Sequence, residues 1–258
     1  MNFLERVGKT TIDFFSYAGG LAELAGDAFR FIFIGRIRFV ETLNQCYVLG
    51  NQSLIIVLLT SLFTGMVFSL ESALQAVQYG VGSLVGAAVT YTAVRELGPM
   101  LSAVVVAGRV GAAIAAEIGS MVVTEQIDAL RSMGLAPARF LVVPRMLAML
   151  VMLPLLAVFA DVISVLGGMY VAQSYAHISY NSFILSARQA IGFEDVGKGL
   201  LKSLVFGFII AIVGSYQGLS TRGGAAGVGR ATTGAVVISI ILIFVTNFIM
   251  SYLLYGTH

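Results

Sequence analysis

Long apolar runs punctuated by clustered charges set the pattern of this chain. Thr42 to Leu70 is uncharged for 29 consecutive residues, about 44 Å of α-helix against a hydrocarbon core of about 30 Å. It predicts a membrane-spanning helix over about 46–70. Ser72 to Val94 is again uncharged, and Leu97 to Gly108 is apolar after Arg95 and Glu96. This predicts a second span at about 83–108, with two charges near its middle. Met146–Ala176 with only Asp161 charged, Ser203–Thr221 and Ala231–Tyr255 predict spans at about 146–176, 203–221 and 231–255. Residues 1–41 read differently, because Phe3, Leu4, Val7, Phe14, Phe15, Phe31 and Phe33 are interspersed with charges and never form an apolar run of 18. An amphipathic helix lying in the membrane interface fits that pattern, and Glu5 and Asp13 interrupt any signal-peptide core. The fold class expected is an all-α membrane protein. It has five transmembrane helices within 42–258, preceded by the interfacial helix, with a cytoplasmic coupling helix.

Composition supports this division. The chain is 58% hydrophobic and only 11% charged, against roughly 25% charged in soluble domains, which excludes a water-soluble globule and a disordered chain. Cys46 is the only cysteine, so no disulfide framework is possible, and a net charge of +2 gives no footprint for nucleic acid. The basic residues are distributed unevenly. Arg6, Lys9, Arg30, Arg36 and Arg38 precede the first span, Arg109, Arg131, Arg139 and Arg145 separate the second from the third, and Arg222 and Arg230 separate the fourth from the fifth. The opposite side carries Arg188, Lys198 and Lys202. The positive-inside rule places the N-terminus in the cytoplasm and, after five crossings, His258 on the far side.

The cytoplasmic segment 109–145 is far longer than a turn needs, and its Ala, Glu, Gln and Leu content favours helix. Ile127, Leu130 and Gly134 recur at helical spacing, with Glu125, Asp128 and Arg131 on an adjoining face. The pattern predicts a surface helix between about Glu117 and Gly134 that docks a soluble partner; a surface helix without a partner is the plainer alternative.

Catalytic signatures are missing. A phosphate-binding loop needs GxxxxGK[ST]; Gly8, Lys9 and Thr10 supply its tail, but Phe3 stands where the first glycine belongs. The glycine-rich turn Arg222–Arg230 has no following lysine. His177 and His258, the only histidines, lack neighbours at metal-ligand spacing, and no GxSxG nucleophile motif is present. No catalytic residue and no metal site is expected.

Charges inside the spans are the remaining candidates, since a mid-membrane charge costs at least about 2.5–3.5 kcal/mol. Arg95 and Glu96, adjacent in sequence, point roughly 100° apart and need not pair with each other. Pro99 deprives the Arg95 carbonyl of its helical N–H and bends the helix. A structural clamp and a polar element of a substrate cavity are the two readings. Lys202, placed at the outer start of the fourth span, either snorkels or meets an anion. Asp161, near Gly167 and Gly168, reads as a helix-packing site, with a role in transport as the alternative.

RELGP (Arg95–Pro99), AGR (Ala107–Arg109), AEIG (Ala116–Gly119), TEQ (Thr124–Gln126), Pro144–Arg145 and GRATT (Gly229–Thr233) recur in this order in one family. The chain resembles the MlaE-type permeases of MCE-associated phospholipid ABC transporters over nearly everything after Asn44. The resemblance implies a homodimeric permease in the Gram-negative inner membrane, working between inner and outer membranes to maintain outer-membrane lipid asymmetry. It implies a cytoplasmic ABC ATPase that binds the ATP and Mg, a STAS-domain protein on that ATPase, and a periplasmic MCE-domain hexamer. ATPase docking would fall to Glu117, Glu125, Gln126, Asp128 and Arg131. The lipid cavity would involve Arg95, Glu96, Lys202 and Asn247, where Asn247 stands in place of an acidic residue found in some members. Rival classes are an ion-gradient-driven transporter, which calls for more mid-membrane acids or histidines than Glu96 and Asp161, and a passive membrane scaffold.

Overall fold

The computed structural model describes residues 3–34 and 38–256. Arg36 of the basic cluster and the far-side exit at His258 lie outside them, as do the side chains of Phe3, Leu4, Arg6, Val7 and Phe14. Eight helices make up the described chain: α1 (Phe3–Phe33), α2 (Phe39–Gln78), α3 (Gly82–Val123), α4 (Gln126–Ser132), α5 (Ala138–Ala176), α6 (Tyr180–Ala190), α7 (Phe193–Leu219) and α8 (Gly224–Tyr255). No strand occurs among the described residues. α2, α3, α5, α7 and α8 are the five helices long and apolar enough to cross a membrane. The all-α architecture with five spans and an additional N-terminal helix is as the sequence implies.

Helix ends depart from the apolar runs. α3 does not stop at Gly108 but continues to Val123, α7 begins ten residues before Ser203, and α8 begins at Gly224. Charges had marked the expected ends, yet at α7 they are paired inside the helix. Lys198 approaches Glu194 at 3.9 Å, Asp195 meets Arg95, and Lys202 meets Glu96. Lys202 therefore sits within α7 and is fully buried; it does not snorkel. α6, expected only as loop, starts where the Ser179 side chain accepts from the Ser182 N–H at 3.3 Å, an ordinary N-cap. It buries Phe183 and Ser186 against the start of α3.

Packing uses small residues. Ser53, Val57, Ser61, Gly65, Ser69 and Ala73, every fourth residue of α2, are buried. This stripe faces α5, where Ser69 Oγ donates to the Gly168 carbonyl at 2.6 Å and Gly65 lies against Ser164. Hydrocarbon tails supply no hydrophobic drive between helices, so close backbone approach of this kind is what holds spans together. α7 lies against α3 and α5 in the same way, through Gly199 on Val94, Gly207 on Met149 and Gly218 on Ile118. α1 rests on α7. Phe29 stacks on Phe208 at 5.4 Å, Tyr17 meets Tyr216 edge-on at 5.0 Å, and Gln217 Nε2 donates to the Tyr17 hydroxyl at 3.0 Å. Burial in that contact pushes the Tyr17 phenol above its ordinary range, partly offset by the Gln217 bond.

Candidate functional site

α3 is wound wider than an α-helix in two places, Ala93–Leu97 and Ala107–Gly111, each a single π-turn. Such turns insert an extra residue and recur at functional positions. The first lies immediately before Pro99, whose missing N–H would leave a carbonyl without a partner. That carbonyl belongs to Arg95, and it accepts from Lys202 Nζ at 3.0 Å. The bend expected from the sequence is thus a π-turn, and a lysine from another helix satisfies its freed oxygen.

Lys202 divides its three N–H groups among the Arg95 carbonyl, Glu96 Oε1 at 2.7 Å and Ser251 Oγ at 2.7 Å. Ser251 in turn donates to Glu96 Oε1 at 2.9 Å, and Asn247 Nδ2 donates to Glu96 Oε2 at 2.9 Å. One carboxylate thereby gathers α3, α7 and α8. Arg95 points elsewhere, as two adjacent helical residues must. Its Nε donates to Asp195 Oδ1 at 2.7 Å, its Nη1 to the Tyr91 hydroxyl, and its guanidinium lies between the rings of Tyr91 and Tyr255, 4.0 and 4.1 Å from their centroids. Two cations and two anions balance, which is how buried charge is tolerated in apolar surroundings. Access is unequal: the Lys202 side chain is 0% exposed and that of Glu96 34%, so the carboxylate is the open member. Asn247 Oδ1 and the Tyr255 hydroxyl are buried beside it with no partner among the described residues.

The structure thus brings together Arg95, Glu96, Lys202 and Asn247, and adds Tyr91, Asp195, Ser251 and Tyr255. Asn247, Ser251 and Tyr255 recur every fourth residue, as Tyr91 and Arg95 do, so one-face spacing of polar residues in an apolar helix was a usable signal. Asp195 was hidden because its segment read as loop. Asp161 lies apart, packed against Gly98 with Oδ1 buried and unpartnered. No group of three or more metal-ligating side chains occurs among the described residues.

The five residues expected to dock a partner separate. Glu117 belongs to α3, where its Oε2 accepts from Arg145 Nη2 at 2.8 Å and ties α3 to α5. Glu125 forms the joint between α3 and α4 with left-handed backbone, φ 60°, so the expected continuous helix is broken there. Gln126 Nε2 donates to Thr124 Oγ1 at 3.0 Å. Asp128 and Arg131 pair at 3.5 Å on the exposed face of α4, while Ile127 turns inward and is buried.

Comparison with known proteins adds a finding of a different kind. A family model described as "Permease MlaE" matches residues 42–253. A probable ABC transporter permease protein of Synechocystis is 44% identical over 232 residues, covering 90% of this chain and 88% of that one. One of Rickettsia typhi is 39% identical over 255 residues, 99% and 98% of the two chains. The chloroplast protein TRIGALACTOSYLDIACYLGLYCEROL 1 of Arabidopsis is 37% identical over 228 residues, 88% of this chain and 65% of that one.

Proposed function

The chain belongs to the MlaE permease family of ABC transporter permeases, and on that premise we propose that it is the membrane subunit of an ATP-driven phospholipid transporter. It works between inner and outer membranes and keeps the outer membrane asymmetric. The observation that carries this reading is the half-open Glu96 carboxylate within the spans, held by Lys202, Asn247 and Ser251. A polar group retained at that cost marks a path for something that is itself partly polar. The name of the Arabidopsis relative contains that of a galactolipid, which favours a lipid cargo over an ion.

The chain itself is non-catalytic. A separate cytoplasmic ATPase binds ATP and Mg²⁺ and docks on the inner surface through Gln126, Asp128 and Arg131 of α4, with Glu125 as the joint and Glu117 bracing α3. A STAS-domain protein attaches to that ATPase, and a periplasmic MCE-domain hexamer stands over the far side. The chain pairs with a second copy. α8 supports this, because it is the least covered of the five spans, 11% of its apolar stretch being buried against 28–50% in the others. The N-terminus lies in the cytoplasm, the C-terminus in the periplasm, and the whole in the inner membrane.

The test is transfer of a fluorescent phospholipid by the reconstituted complex. Transfer is expected to require ATP, and Glu96→Ala is expected to lower it with the ATPase still co-purifying. Unchanged transfer would make Glu96 a structural clamp, and ATP hydrolysis by the chain alone would remove the separate ATPase.

A further inference from the structure

Between α2 and the π-turn of α3 lies an open groove of about 470 Å³, lined by Phe63, Thr64, Val67, Phe68, Glu71 and Leu97. Phe63 and Val67 are each 61% exposed to it and its surroundings. From Phe63 to Glu71 it follows about 12 Å of helix, in the direction an acyl chain takes in a bilayer. At its foot Leu97 is the immediate neighbour of Glu96. At its head stands Glu71, which terminates the uncharged run Thr42–Leu70 and so marks the level where hydrocarbon gives way to head groups.

The charges beside this groove are one-sided. Glu71 is exposed and takes part in none of the ion pairs among the described residues. None of the lining residues is basic. The nearby cations are committed: every N–H of Lys202 is used, and Arg95 is held by Asp195 and two tyrosines. A net anionic head group finds no cation among the lining residues, whereas the ammonium of a zwitterionic one finds Glu71.

We propose that this groove seats an acyl chain of a phospholipid whose head group carries an ammonium, with Glu71 as its counter-charge, so that Glu71 sets head-group preference. This rests on the phospholipid reading above and specifies it further. The test is mass spectrometry of lipids retained by the intact complex, purified from membranes of known phosphatidylethanolamine to phosphatidylglycerol ratio. The native complex is expected to hold the amine lipid enriched by about threefold over the membrane, the ratio a partly exposed ion pair supports. Glu71→Gln is expected to return that ratio to the membrane value with total lipid unchanged, and Glu71→Lys to invert it. Phospholipid retained at the membrane ratio, or an enrichment that Glu71→Gln leaves intact, overturns the role of Glu71 alone. A complex that retains no phospholipid in any form overturns the transport reading and this inference with it.

Discussion

Replacing Lys202 by Met is the most informative perturbation of the central network. Methionine fills nearly the same volume, so the change removes three hydrogen bonds and one charge with little loss of packing. Glu96 then keeps only Asn247 and Ser251 as donors, and the Arg95 carbonyl loses the bond from Lys202. Breaking a buried ion pair by deleting one partner costs about 3–5 kcal/mol. Because Glu96 remains 34% exposed and keeps some solvation, the cost is discounted to about 2–4 kcal/mol. For a chain of this length each kcal/mol moves the melting temperature by about 2–4 °C, so a fall of about 5–15 °C is expected in detergent by size-exclusion after heating. Adding Glu96→Leu to Lys202→Met removes the stranded carboxylate and should recover about half of the loss, since the two residues are directly coupled. A Lys202→Met protein that melts within about 2 °C of the native one would refute the reasoning. So would a double variant less stable than the single one by the full cost of a second buried loss.

Two further outcomes follow from local geometry. A Cβ at Gly98 would collide with the Asp161 carboxylate and crowd the Ala93 carbonyl, so Gly98→Ala should destabilise by about 1–3 kcal/mol; combining it with Asp161→Ala should restore part of that in the same melting assay. Tyr17→Phe deletes the bond from Gln217 and should cost about 0.5–1.5 kcal/mol, seen as faster hydrogen exchange in α1 with the five spans unaffected.

The number and order of the spans were readable because uncharged runs of this length have no other use. Their ends were not, and α7 shows why. Charges that mark the limit of an apolar run are solvated only if nothing pairs with them, and pairing is a property of the folded helices. Asp195 and Lys198 fall before the expected span 203–221 and Lys202 at its edge, yet Arg95 and Glu96 of α3 pair with Asp195 and Lys202 and Glu194 with Lys198, so all three lie in one helix. Glu96 and Lys202 were legible as expensive residues, but their meeting was not, since they are 106 positions apart in sequence. Asn247 illustrates the opposite case. Losing an acidic residue at that position left its pairing open, and the structure shows that an amide N–H reaches Glu96 where a second carboxylate would need a proton to do so. α6 escaped because its cap, Ser179, is a single residue in a short polar stretch, and amphipathic helices of 11 residues are weakly marked beside five apolar runs.

One nitrogen atom fastens three helices: Lys202 Nζ reaches α3 twice and α8 once from its own place on α7. Sliding any one of the three past the others must rupture a short charge-assisted bond, so they travel as a single block. Whatever opens and closes during a working cycle therefore has its seam elsewhere than between these three helices.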